Sequence, residues 1–111
     1  MQRDALFIAE MTDACVRIIE LVAGQDAESI DADATVREAL YWNFTVLGEA
    51  AGRVSAERRQ AEAGIPWHRA AALRNRIVHG YWSVDTDLLV ATARDAIPQM
   101  MRDLRTLALD D

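Results

Sequence analysis

An all-α fold is what this chain predicts: an up-down bundle of four to five helices with a kinked last member. Three observations carry that expectation. Hydrophobic residues make up 51% of the 111 positions, with only two prolines and five glycines, so the chain suits a compact and regular fold. Alanine is abundant while aromatics reach only 6%, which favours helix over sheet. Apolar residues recur at i, i+3, i+4 and i+7 in long windows. The length suits one domain, residues 1–111.

The first helix is expected from about Asp4 to Val22. Phe7, Met11, Ala14, Ile18 and Leu21 repeat along one face, and Glu10, Asp13, Arg17 and Glu20 line another. Ile8, Cys15, Ile19 and Val22 widen the apolar arc, enough for contact with more than one neighbour, and Gly24 ends the helix. The stretch "GQDAESIDADAT" reads as a polar connection that closes with Asp33 as a helix cap. It lacks the regular ligand pattern and central glycine of a calcium loop.

A second helix spans about Ala34 to Val54. Its core face is Val36, Leu40, Leu47, Ala51 and Val54, with Tyr41 and Phe44 at the flanks. Asn43 and Glu49 fall away from that stripe and are expected at the surface. Gly48 and Gly52 stand four apart, a spacing that permits close helix approach. A short, partly helical segment, "SAERRQAEAG", follows.

The third helix opens at "IPW", with Pro66 at its first position. It buries Ala70, Leu73 and Ile77, and Gly80 terminates it. Trp67 and Trp82 are expected to pack. The fourth begins with Asp85 as its cap and carries Val84, Leu88, Ala91, Ile97, Met101, Leu104 and Leu107 on its apolar side. Pro98 removes one backbone hydrogen bond and should kink it.

Composition also bounds the function. No 18-residue apolar run exists, so no membrane span is expected. Charges at Arg3, Asp4, Glu10 and Asp13 interrupt any signal-peptide core, and the single Cys15 fits a reducing cytoplasm and apolar packing. One cysteine and two histidines do not supply a structural zinc site, and no cofactor is expected. The net charge of −6 speaks against indiscriminate nucleic-acid binding. Its distribution is uneven, however. Acidic residues run through Glu62 and stop until Asp85, and between them lie His68, Arg69, Arg74, Arg76 and His79.

The centre of that basic island is "RNRIVHGYW", residues 74–82. Helical geometry sets Arg74 and His79 roughly 140° apart and puts Asn75 and His79 on one face. His68 lies about 16 Å from His79 along the axis and reads as surface. An imidazole takes or gives a proton near neutrality. A guanidinium holds a phosphate and the charge that grows on it. Asn75 can orient the imidazole or a ligand oxygen, and Tyr81 offers a hydroxyl. Together they suit attack of an RNA 2′-hydroxyl on its own phosphate without a metal. The same residues equally suit a structural role, His79 and Tyr81 capping a helix end and Arg74 pairing with an acid.

The ordered set R-x4-H-x-Y (Arg74, His79, Tyr81), "LGEA" at 47–50, "IPW" at 65–67 and "RN" at 74–75 resembles the HepT-like proteins of the HEPN superfamily over nearly the whole chain. The resemblance implies a small helical homodimer with two motifs at a shared cleft. It implies a toxin of a toxin–antitoxin pair, a metal-independent ribonuclease acting on RNA, and the acidic surface suggests a selective substrate such as a structured tRNA. It also implies a MntA-like nucleotidyltransferase antitoxin that adds AMP to the motif tyrosine. Carried onto this chain, Arg74 and His79 become the catalytic pair, Asn75 the supporting polar residue and Tyr81 the AMPylation site. The alternative is a non-catalytic nucleotide-binding or regulatory module, or a protein substrate of such a nucleotidyltransferase.

Overall fold

The computed structural model describes residues 2–110, with side chains from 3 to 108. The fold is all-α, but the described residues form seven α-helices where four or five were expected. They are α1 (Gln2–Val22), α2 (Ala27–Asp31), α3 (Ala34–Arg53), α4 (Ala56–Ala61), α5 (Trp67–Gly80), α6 (Thr86–Asp95) and α7 (Ile97–Asp110). A 3-10 turn, Tyr81–Ser83, follows α5. No described helix is long and apolar enough to cross a membrane.

Each boundary has a local cause. Gly24 leaves α1 with φ 70°, a left-handed conformation that suits glycine. The connection expected to be a loop contains α2, a helix capped at both backbone and side chain. Asp26 Oδ1 accepts from the Ser29 amide at 2.8 Å, and Ser29 Oγ accepts from the Asp26 amide at 3.0 Å. Five residues are too few to hold a helix by propensity alone. The anchors are tertiary: Ile30 is fully buried, and Thr86 Oγ1 donates to Asp31 Oδ1 at 2.6 Å. Arg94 also donates to the Gln25 carbonyl.

Asp33 caps α3 as expected, accepting from the Thr35 and Val36 amides at 3.1 and 3.2 Å. Asp85 caps α6 by accepting from the Asp87 amide at 2.9 Å. Ser55 caps α4 through Arg58 at 3.2 Å. Its own hydroxyl donates to Asp4 Oδ2 at 2.7 Å and its amide to Asp4 Oδ1 at 2.9 Å, tying the start of α1 to α4. Pro66 stands at the cap of α5 rather than its first position, one residue from expectation.

The last helix divides at Ala96 instead of merely kinking. Pro98 has no N–H to give, and its ring crowds the preceding turn. The break also changes which side chains go inward. Leu88 is 40% exposed and Ala91 is exposed, contrary to the stripe drawn for one continuous helix. Thr86, Leu89, Val90 and Ala93 are buried in their place.

The core joins α3 to both α1 and α5, with α7 and α6 against the other side of α1. Met11, Cys15, Ile18, Ile30, Leu40, Ala51, Leu89 and Leu104 are its driest members. Phe44, expected at a flank, belongs to this core, as does Trp67, whose Nε1 donates to the Glu62 carbonyl at 3.0 Å. The broad apolar arc of α1 is thus covered within the chain and does not mark a surface for a second copy. Asn43 is buried too, its Nδ2 donating to the Ala39 carbonyl at 2.8 Å.

Of the two paired glycines, only Gly48 lies at a close approach. A Cβ there would collide with the Ala70 carbonyl and the Arg74 side chain, whereas one at Gly52 meets nothing within 4 Å. Gly48→Ala should therefore cost about 2 kcal/mol, overpacking outweighing the gain in helix propensity. Gly52→Ala should add about 0.5–1 kcal/mol. Urea denaturation of both variants checks the contrast.

The two hydrogen bonds from Ser55 hold the Asp4 carboxyl below its usual range. A carboxylate with a depressed folded-state pKa contributes stability that is fully present above the unfolded value, about 3.9, and is lost as pH falls through the folded value. Asp4→Ala should cost about 2 kcal/mol at pH 7. Denaturation repeated in the acid range should show the gap between wild type and variant closing below that pKa window.

Candidate active site

The site is built on the contact between α3 and α5. Because Gly48 has no side chain, the α5 backbone at Ala70 and the aliphatic stem of Arg74 lie directly on α3. That contact fixes the stem and sends the guanidinium toward the surface, the side chain 30% exposed. There Nη2 pairs with Glu49 Oε2 at 3.2 Å, and Nη1 donates to Asn75 Oδ1 at 2.9 Å. Glu49 also holds Arg53, Oε1 to Nη2 at 3.1 Å. One carboxylate therefore bridges two arginines on neighbouring helices. Helical periodicity alone puts Glu49 on the exposed face, although "LGEA" contains it. What was missing is the register of α3 on α5.

His79 stands on the last turn of α5, exposed, with no hydrogen bond or ion pair to any described residue. Asn75 is one helical turn before it, but the Asn75 side-chain oxygen is engaged by Arg74, not by the imidazole. Within one chain Arg74, Asn75 and Glu49 form one linked group, and His79 stands apart from it. His68 is exposed, as expected.

Tyr81 opens the 3-10 turn and is 57% exposed. Its ring lies 6.0 Å from that of Tyr41 and 5.3 Å from that of Trp82, the second contact edge-on at 75°. Trp82 was expected to pack, yet it is 77% exposed. It lies in the short turn between α5 and α6 and turns to the surface. Trp42 and Val78, at 65% and 49% exposure, extend the same surface. Tyr41, Trp42, Ile77, Val78 and Tyr81 line a groove of about 490 Å³ beside this aromatic cluster.

Other candidate chemistry is weaker. Cys15 is fully buried, and burial pushes its thiol up to about 12, so it packs and carries no thiolate. Among the described residues no group of three or more His, Cys, Asp or Glu side chains gathers at metal-ligand range.

Comparison with known proteins places this sequence in a family. The profile of the family described as ribonuclease HepT-like matches residues 11–107. A candidate RNase of Caldanaerobacter subterraneus subsp. tengcongensis is 23% identical, over 91% of this chain and 90% of the relative. A candidate RNase of Methanocaldococcus jannaschii is 21% identical over 88% and 90%. A candidate ribonuclease HepT of Thermococcus cleftensis is 23% identical over 85% and 86%. No solved structure gives a significant match. The matched span takes in α3, α5 and the whole of the Arg74–Tyr81 segment: the chain belongs to the HepT-like ribonuclease family.

Proposed function

We propose that this chain is the toxin of a toxin–antitoxin pair, a metal-independent endoribonuclease of the cytoplasm whose working site is shared by two copies. The observation that carries the reading is the pairing of a fixed arginine with a free imidazole on one helix. Arg74 is held by Glu49 and Asn75, and His79 has an unoccupied ring one turn and a half beyond. His79 takes the proton of an RNA 2′-hydroxyl, whose oxygen then bonds the adjacent phosphorus as the P–O5′ bond breaks. A protonated imidazole supplies the departing 5′ oxygen with its proton. Arg74 offsets the charge that accumulates on the phosphate oxygens. Asn75 and Glu49 are positioning residues that keep the guanidinium aimed.

A second copy gives each Arg74 a further histidine to work with. The surface for it is the exposed patch of Trp42, Val78 and Trp82 beside the motif, not the α1 arc, and Tyr81, 57% exposed, stays open at its edge. The same exposure makes Tyr81 a substrate for a nucleotidyltransferase antitoxin of the MntA kind. The phenol oxygen attacks the α-phosphorus of ATP and pyrophosphate leaves. The AMP so attached sets a negative phosphate beside the motif, where RNA phosphate would have to sit. A second reading, a phosphate-gripping regulatory module without turnover, is favoured by the Arg74–Glu49 pair, which already occupies the guanidinium in one chain.

Incubation of the purified chain with total RNA in excess EDTA tests the proposal. Wild type should cut and leave cyclic phosphate ends. His79→Ala and Arg74→Ala should each reduce cutting by about a hundredfold or more while retaining helical circular dichroism. RNA left intact by an unmodified wild type, with AMP bound at equilibrium, would select the regulatory module.

Glu49→Gln separates positioning from stability. The pair is partly exposed, so unfolding free energy should move by less than about 1 kcal/mol. Turnover should nevertheless fall about tenfold with little change in KM, because Arg74 loses its aim. Arg53→Ala, on the other side of the same carboxylate, is the control and should leave turnover near wild type.

A further inference from the structure

The flank of α5 opposite the Tyr41–Tyr81 groove holds a separate feature. The bundle is not closed there: α5 packs on α3 but has no comparable contact with α6 or α7. The gap at the Ala96 break is a pocket of about 220 Å³, walled by Leu47, Leu73, Leu88, Ile97 and Met100. The hydroxyl of Thr92, which also lines it, is spent on the Leu88 carbonyl at 2.7 Å. The walls are therefore apolar and offer a guest no free side-chain donor at that point.

Two arginines border this pocket, Arg69 and Arg76. Both are exposed and neither has a hydrogen-bond or ion-pair partner among the described residues. They lie in the stretch that carries no acid between Glu62 and Asp85. Seven residues apart on a helix, they share one face at a separation of about 10 Å along the axis. An apolar hole thus lies between two unneutralised cations in a chain whose net charge is −6.

We propose that this cleft docks an acidic amphipathic helix of a partner protein. Such a helix presents carboxylates at i and i+7, with the same rise of about 10 Å, and an apolar side chain between them on the same face. A cavity of about 150 Å³ accepts benzene, so this one holds a Leu or Phe side chain. RNA meets only half the site. Its phosphates suit the arginines, but a base in an aliphatic hole forfeits the hydrogen bonds of its edges. A small amphipathic anion fills the hole but has one head for two arginines.

The probe is a fluorescein-labelled, alanine-rich helical peptide with two glutamates seven apart and a leucine midway between them. Its control carries that leucine on the opposite face. Anisotropy with the full-length chain should show the probe binding about tenfold more tightly than the control. Arg69→Gln combined with Arg76→Gln should weaken the probe about tenfold, as should Ala72→Phe, which narrows the mouth from an exposed position. Probe and control binding alike, or a probe indifferent to these variants, would overturn the proposal. So would a single-stranded RNA that depends on the two arginines while the probe ignores them, or self-association of the chain that the double variant abolishes.

Discussion

Gly48 lets α5 settle on α3 with backbone against backbone, and the rest of the site depends on that contact. It fixes the height of Arg74 over α3, because the aliphatic stem of the arginine occupies the space a larger residue would take. It also brings the guanidinium within reach of Glu49 on the same turn of α3 as the glycine. The remaining elements brace these two helices. α1 covers the other side of α3, α7 and α6 back α1, and Asp4 ties the start of α1 to the cap of α4. Core packing, not surface pairing, sets the register, since every ion pair at the site is partly exposed and worth little alone.

Charge is arranged around that frame in a way the average conceals. The chain is acidic, yet α5 carries no acid of its own, and Arg74 takes a carboxylate partner, Glu49, from α3. Arg74 is thereby ordered and partly neutralised, while Arg69 and Arg76, on the opposite flank, have no partner among the described residues. One helix so serves two surfaces. The flank toward Tyr41 and Tyr81 is aromatic and carries the motif, and the flank toward α6 and α7 is aliphatic with cations at its rim. Their different chemistry suits different guests.

Much of the fold was legible in the residues because local signals and burial agreed. α1, the caps Asp33 and Asp85, the glycine stop at Gly24 and the Leu40–Leu47–Ala51 stripe fall where pattern puts them. α2 did not, because so short a helix exists only through Ile30 and the bond from Thr86, contacts that no local pattern carries. The consecutive Leu88, Leu89 and Val90 offer two helical phases, and the break before Pro98 selects the one that continuity with α7 disfavours. At the site, the motif itself was readable, but its surroundings were not. That Glu49 reaches Arg74 follows from the lateral packing of α3 on α5, and the exposure of Trp82 from the short turn after α5, neither of which helical periodicity encodes.

A single chain presents a positioned arginine and a free histidine that do not touch, beside an apolar patch too aromatic for a routine solvent face. The account therefore stands on a site completed by a second copy. Sedimentation equilibrium of wild type and Trp42→Glu at micromolar concentration, with RNA cleavage assayed on the same samples, tests this most directly. The account predicts a wild-type dimer that cuts and a Trp42→Glu monomer that keeps its helical content and does not. A wild-type monomer that cleaves RNA would contradict it.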